Sequence, residues 1–387
     1  MKRKIVSIFL VVVLTFAMTI SPVLAQTAQE RKNELEEQRD NVKEQKNEIT
    51  SQKKTVMEEI SDLEDEISKY ESEISKLNMY VANLPEGCSA KYFYKNKSIY
   101  FSPTTSITKI NDLIVHECIH YLQERTNKKG KIDRMGFCDF TDSYLPGTGM
   151  NEAAVQLLAS KCMKKKPEAV SYFGLNFNTV SPNYYPLECA LVNQLNYIIG
   201  NNVLFDSTFN SNDNFEDQFI SLTSAKDYDK ILDNLDLLVD KQDFINELTA
   251  SNNSHSNNSK KVAHNLKKLE KTKSEIKDLF FETQNLIITS YFDSYVNLIY
   301  SKEALEKYRT KLYNFRNYIA TADGYTFYNR YYINKMVELE NKLENGFTPS
   351  ATALILYKDN LFKSLVKNIK TLFKLSNKDV STVTNNK

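Results

Sequence analysis

The chain has 387 residues, room for two or three ordinary domains. Lys plus Arg total 50 against 49 Asp plus Glu, and this balance excludes a nucleic-acid binder held by a basic stripe and counterion release. Apolar residues at 41% supply real cores, while 26% charged residues with only 9 Gly and 8 Pro predict long helices.

Lys2, Arg3 and Lys4 precede an apolar run from Ile5 to Ile20, and Ser21-Pro22-Val23-Leu24-Ala25 supplies a helix break and small residues. Basic start, apolar middle and small-residue exit form a signal peptide over 1–25, so export to the cell surface or medium is expected. The run is slightly long, so it also fits an uncleaved membrane anchor. No cysteine stands at the exit to carry a lipid. Cys88, Cys118, Cys138, Cys162 and Cys189 show no CxxC spacing and read as buried or incidental thiols, with a disulfide left open.

Between Thr27 and Leu84 there is neither Gly nor Pro. Leu35, Val42, Ile49, Val56, Leu63, Tyr70, Leu77 and Leu84 recur every seven residues, with Ile60, Ile67, Ile74 and Val81 interleaved. That is coiled-coil spacing over 27–84, with Arg39, Lys46 and Lys53 weakening the amino half of the second seam. The stretch predicts a spacer, a self-associating rod, or an arm that docks on a partner or shields a catalytic domain.

Lys91–Tyr94 and Ser98–Phe101 flank Lys95-Asn96-Lys97 as a β-hairpin. A helix expected from about Thr105 to Arg125 carries His116-Glu117-Cys118-Ile119-His120, using two of the four histidines in the chain. At this spacing both imidazoles lie about 40° apart on one helical face and reach one ion. Glu117 sits to the side, placed to take a proton from a metal-activated water. Cys118 points away and groups with Ile107, Ile114 and Leu122 on the side expected to form core. A catalytic zinc needs a third protein ligand, and Glu152 in Asn151-Glu152-Ala153 opens a second apolar helix reaching about Cys162.

In these residues the chain resembles the gluzincin metallopeptidases, the thermolysin-like group among them. The resemblance covers roughly 107–160 and implies Zn²⁺ held by His116, His120 and Glu152, Glu117 as general base, and a zincin-like α+β catalytic domain. Those families usually carry Asp four residues after the ligand Glu; here Gln156 stands there and, with Asn151, is the expected support for the ligands. Tyr144 is the candidate donor to the oxyanion, with Tyr184 and Tyr185 further on. An export segment followed by heptads also resembles the front end of secreted cell-wall hydrolases of Gram-positive bacteria.

Leu145-Pro146-Gly147-Thr148-Gly149 spells a sortase sorting signal, but mid-chain it reads as the loop into the Glu152 helix. Pro186–Ile199 predicts a helix, and Asp206–Leu248 has a helical pattern with Phe215, Phe219, Ile231, Leu235 and Leu238 as core. Residues 251–259 read as a polar linker, closing a metallopeptidase domain over 88–250, and 260–387 as a helical region. The Tyr and Phe of 280–332 predict packed core, with a glycan-binding face as the sharper alternative. The expected fold is mainly α with a small β-hairpin or sheet, flanked by an amino-terminal coiled coil and a carboxyl-terminal helical region. Its expected function is zinc-dependent hydrolysis of a protein, a peptide or cell-wall peptides, without nucleic acid. The alternative is a non-catalytic cell-surface coiled-coil interaction protein with a structural or vestigial zinc site.

Overall fold

The computed structural model describes residues 28–85, 87–107, 110–140, 146–254, 259–299, 301–322 and 326–345. The apolar run at 5–20, Tyr144, His255 and the chain after 345 lie outside them. Among the described residues the protein is mainly helical, 69% helix against 11% strand, with three small sheets. It divides into two compact units, one ending at Glu73 and one starting at Ile74.

The described residues of the first unit form one helix, α1 (Ala28–Ile74), whose last residue opens the second unit and which is unbroken because its sequence lacks Gly and Pro. Its heptad pattern predicts helix as far as Leu84, but the helix stops a full ten residues short of that point. Asn78–Val81 instead forms strand β1, paired in parallel with β3 (Ser98–Phe101). Leu77 packs beside the cluster of Tyr92, Ile99 and Phe101, and Tyr80 stacks on Tyr100 at 5.5 Å. Sheet pairing and that apolar cluster outweigh the helical spacing of Leu77, Val81 and Leu84.

In the second unit the expected hairpin forms from β2 (Ala90–Phe93) and β3, in the order β1-β3-β2, so β2 is an edge strand. Helix α2 (Asp112–Leu122) carries the two histidines of the His-Glu-x-x-His motif and is shorter than its pattern predicts. Asn111 caps it by accepting from the Ile114 amide at 3.0 Å. Glu124–Thr126 leaves the helix as β4, in a sheet with β5 (Ile132–Met135) and β6 (Cys138–Asp139). The expected core side of α2 needs correcting too: Ile107 is 44% exposed and Cys118 only half-buried, while His116, Glu117 and His120 are buried. The reason is that α2 is covered on two sides. Ile114 and Cys118 face the first sheet, and Ile119 packs on Val155 and Ala159.

Those two residues belong to α3 (Thr148–Cys162), whose buried positions run right round its circumference. Four helices pack on it: α2, α4 (Pro186–Ile199), α5 (Asn201–Asn210) and α7 (Ala225–Ser254). A helix buried all round is the mark of a domain centre. At Gly149 the approach to α7 is close, since a Cβ there would lie 2.4 Å from the Leu235 carbonyl oxygen.

A short hairpin of β7 (Glu168–Tyr172) and β8 (Leu175–Thr179) precedes α4, and α6 (Asn214–Leu222) precedes α7. Phe215, Phe219, Ile231, Leu235 and Leu238 are all fully buried. The stretch 251–259 does not divide two domains. Residues 251–254 are the last turn of α7, and Asn265 of α8 (Ser259–Val296) donates to Asn252 at 2.9 Å, so the segment joins two helices of one hairpin. One apolar core continues from Phe137 through Phe280, Phe292, Tyr308 and Phe315, the last two on α9 (Lys302–Phe315), to Leu339 on α10 (Phe327–Asn345). Much of the Tyr and Phe stripe is therefore core. The five cysteines are free thiols, and no described helix is long and apolar enough to cross a membrane.

The tight α3–α7 crossing leaves no room for a methyl group. Gly149→Ala should destabilise the protein by about 1–3 kcal/mol, read as a lower urea midpoint. An unchanged midpoint would show that the two helices can move apart freely.

Candidate metal centre

α2 and α3 pack side by side, and the structure brings His116, His120 and Glu152 together between them. His116 Nε2 lies 3.0 Å and His120 Nε2 3.4 Å from Glu152 Oε2, and the two nitrogens are 2.9 Å apart. A tetrahedral zinc with bonds of about 2.0–2.1 Å needs ligand atoms roughly 3.3 Å from one another, so the spacing fits such an ion.

The tautomers follow from the surrounding amides. Gln123 Nε2 donates to Asn151 Oδ1 at 3.1 Å and to the Thr208 carbonyl at 2.8 Å, which leaves Gln123 Oε1 as acceptor. That oxygen lies 2.8 Å from His120 Nδ1, so the ring carries its proton on Nδ1. Gln156 works the same way: its Nε2 donates to Ser160, and its Oε1 takes the His116 Nδ1–H at 2.9 Å. The amide of Gln156 thus holds the imidazole that an Asp would hold in the resembled families. Both Nε2 atoms then aim a lone pair at a carboxylate oxygen, and three lone pairs in contact repel unless positive charge lies among them. His120 shows that demand. Burial works against its charge, yet the Glu152 carboxylate, Glu117 and Gln123 raise its pKa to about 9. Glu152 is held well below the usual carboxylate range, because His120 and the two imidazole hydrogen bonds outweigh its burial.

Glu117 lies beside the cluster with one oxygen fixed. Its Oε2 accepts the Tyr92 backbone N–H of β2 at 2.5 Å. Burial pushes its pKa up, and the charges of His116 and His120 pull it back. Tyr185 supplies a further wall. Its ring stacks on His116 with centroids 6.0 Å apart and planes 14° from parallel. The Glu152 charge first, then burial and Glu117, keep its hydroxyl protonated well above the ordinary range, and that hydroxyl hydrogen-bonds Glu152. Its backbone is left-handed, φ 48° and ψ 45°, immediately before Pro186. A bulky residue there carries strain of about 1–3 kcal/mol, met by the packing that presses the ring onto His116.

α3 has no capping side chain of its own at Gly147. Asp236 of α7 supplies one from a distance: its Oδ2 accepts from the Gly147 N–H at 2.9 Å and its Oδ1 from the Gly149 N–H at 2.7 Å. A carboxylate on exposed amides at a helix start is favourable both as hydrogen bonds and against the helix dipole. The Gly-Thr-Gly of the sorting-signal lookalike is therefore the cradle for Asp236, and this contact sets where Glu152 and Gln156 stand.

His116, Glu117, His120, Glu152, Asn151 and Gln156 thus meet at one place, while Tyr144 lies outside the described residues. Gln123, Asp236 and the Tyr92 amide escaped the sequence reading. Gln123 was within reach, one turn after His120; the other two come from distant elements. Comparison of the chain with protein-family models, curated proteins and solved structures finds no match.

Glu188, one turn after Tyr185, is fully buried with Oε2 unpartnered among the described residues and Oε1 taking a bond from Gln242. Burial raises its pKa from 4.5 to about 7. A carboxyl raised on folding holds its proton more tightly in the native state, so its contribution to stability falls as pH rises from about 4.5 through about 7. Glu188→Gln should remove that fall, gaining about 2–3 kcal/mol on wild type between about pH 5 and about pH 8. Parallel pH profiles of the urea midpoint would contradict the assignment.

Proposed function

We propose that the chain is an exported, gluzincin-type zinc metallopeptidase, with His116, His120 and Glu152 as metal ligands and Glu117 as general base. The observation that carries this reading is the convergence of two Nδ1-protonated imidazoles and one carboxylate, with a second buried carboxylate beside them. When bound, zinc supplies Lewis acidity, lowering the pKa of water toward about 7 and polarising a carbonyl.

The protein's own groups do the rest. Glu117 takes the proton of the attacking water and passes it to the leaving amine. The Tyr92 N–H fixes one of its oxygens, leaving the other to handle protons. Its buried setting makes it a stronger base than a surface carboxylate. Tyr185, kept protonated by Glu152, is the candidate donor to the developing oxyanion, the role expected of Tyr144, once its one proton turns from Glu152 to the substrate. Gln123 and Gln156 hold the imidazoles in the tautomer that offers Nε2.

A peptide is favoured over other acyl substrates by the position of β2. It is an edge strand whose Tyr92 N–H is taken by Glu117, so an extended chain laid beside that edge comes up to the base without pairing with the Tyr92 amide. Candidate substrates are proteins, peptides and the peptides of the cell wall.

The test is cleavage of a mixed peptide library and of cell-wall peptides by the zinc-loaded chain, followed by mass spectrometry. Cleavage should stop with chelator, return with zinc, and fall by about 10²–10⁴-fold in Glu117→Gln. Undiminished cleavage in Glu117→Gln would overturn the assigned mechanism. Cleavage of nothing would favour a non-catalytic surface protein that works through its coiled coil.

A further inference from the structure

Helix α1 carries an apolar stripe that no described residue covers. Leu35 is 63% exposed, Ile49 62%, Ile67 55% and Leu63 50%, with Val42, Val56 and Ile60 alongside. In heptad terms Leu35, Val42, Ile49, Val56, Leu63 and Tyr70 occupy one core position, d. The other, a, is held by Arg39, Lys46 and Lys53, then by Ile60, Ile67 and Ile74. Charge is divided along the rod in the same way. Residues 28–56 hold seven acids and seven bases, whereas 57–74 hold eight acids and one base, Lys69.

These charges discriminate between ways of covering the stripe. A parallel pair of identical helices would stack Arg39, Lys46 and Lys53 each on its own copy inside the seam. It would also set Glu59 against Glu64 and Glu66 against Glu71 along the flanks, where like charges destabilise. An antiparallel pair sets a against d and avoids both. With Ile60 opposite Ile49 of the second copy, Ile67 meets Val42 and Ile74 meets Leu35. In the same register Lys53 meets Val56, Lys46 meets Leu63 and Arg39 meets Tyr70. No layer places base on base. Each basic stem lies over an apolar side chain, and its head reaches the acidic end of the other helix; Arg39 can also stack on the Tyr70 ring. On the flank Lys43 faces Glu64 of the second copy, and Glu36 beside Glu71 is the one repulsive pair.

We propose that α1 binds α1 of a second copy of this chain, antiparallel, with Ile60 opposite Ile49. The occupant is identified by charge: the partner must be basic in its core where α1 is acidic, and apolar where α1 is basic, which α1 itself is when reversed. The interaction is independent of the metal site.

Sedimentation equilibrium of the full chain tests it, with variants on the exposed flank that leave the helix intact. Wild type should be a dimer at tens of micromolar. Glu64→Lys should raise the dissociation constant about 10-fold, because Lys43 then meets a like charge twice per dimer, and Lys43→Glu/Glu64→Lys should restore it. A monomeric wild type would overturn the proposal. So would tighter association in Glu64→Lys, since that change relieves the Glu59–Glu64 repulsion of a parallel pair. Orientation is read separately from oxidised Lys53→Cys/Val56→Cys by peptide mapping. A 53–56 link between chains supports the antiparallel register, and a 53–53 link contradicts it.

Discussion

Three electron-rich atoms, His116 Nε2, His120 Nε2 and Glu152 Oε2, stand within 3.4 Å of one another in a buried setting. Left to themselves they would separate, since lone pairs facing each other in a medium of low polarity repel strongly. Their arrangement therefore imposes a condition on everything around it. The surrounding structure must hold them together, and some positive charge must lie among them. The raised pKa of His120 is the local sign of that condition. A divalent cation meets it with three bonds where a proton meets it with one.

The restraint comes from three directions. α2 is pressed between a small sheet and α3, which fixes the imidazole positions, and Gln123 and Gln156 fix their rotation. α3 is buried on every side over most of its length and is placed lengthwise by Asp236, whose carboxylate spans the Gly147 and Gly149 amides. From the third side Tyr185 leans on His116 at the cost of a left-handed backbone. Such strain persists only where the surrounding packing holds the residue in place.

The parts legible in the sequence were those whose partners lie close along the chain. The four-residue spacing of His116 and His120 sets their common face by helical geometry, and the apolar helix around Glu152 announced itself by composition. The β2–β3 hairpin and the core of α6 and α7 were likewise local patterns. Long-range contacts were not legible. Nothing in the heptads ending at Leu84 shows that Asn78–Val81 will pair with Ser98–Phe101. The polar residues 251–254 look like a linker until Asn265 is seen to hold them. Asp236 is 89 residues from Gly147 and resembles any other acid on an acidic helix. Tyr185 was one of 23 tyrosines until its ring was found against His116.

The measurement that bears most directly on the site is zinc content by plasma mass spectrometry after loading and desalting. It should be made on wild type, Glu117→Gln, Gln123→Leu and His120→Ala side by side. The account predicts one zinc per chain in wild type and in Glu117→Gln, because Glu117 is not a ligand. It predicts binding weakened by about 10–100-fold in Gln123→Leu and abolished in His120→Ala. Folded wild-type protein that retains no zinc, or His120→Ala that retains as much as wild type, would contradict it.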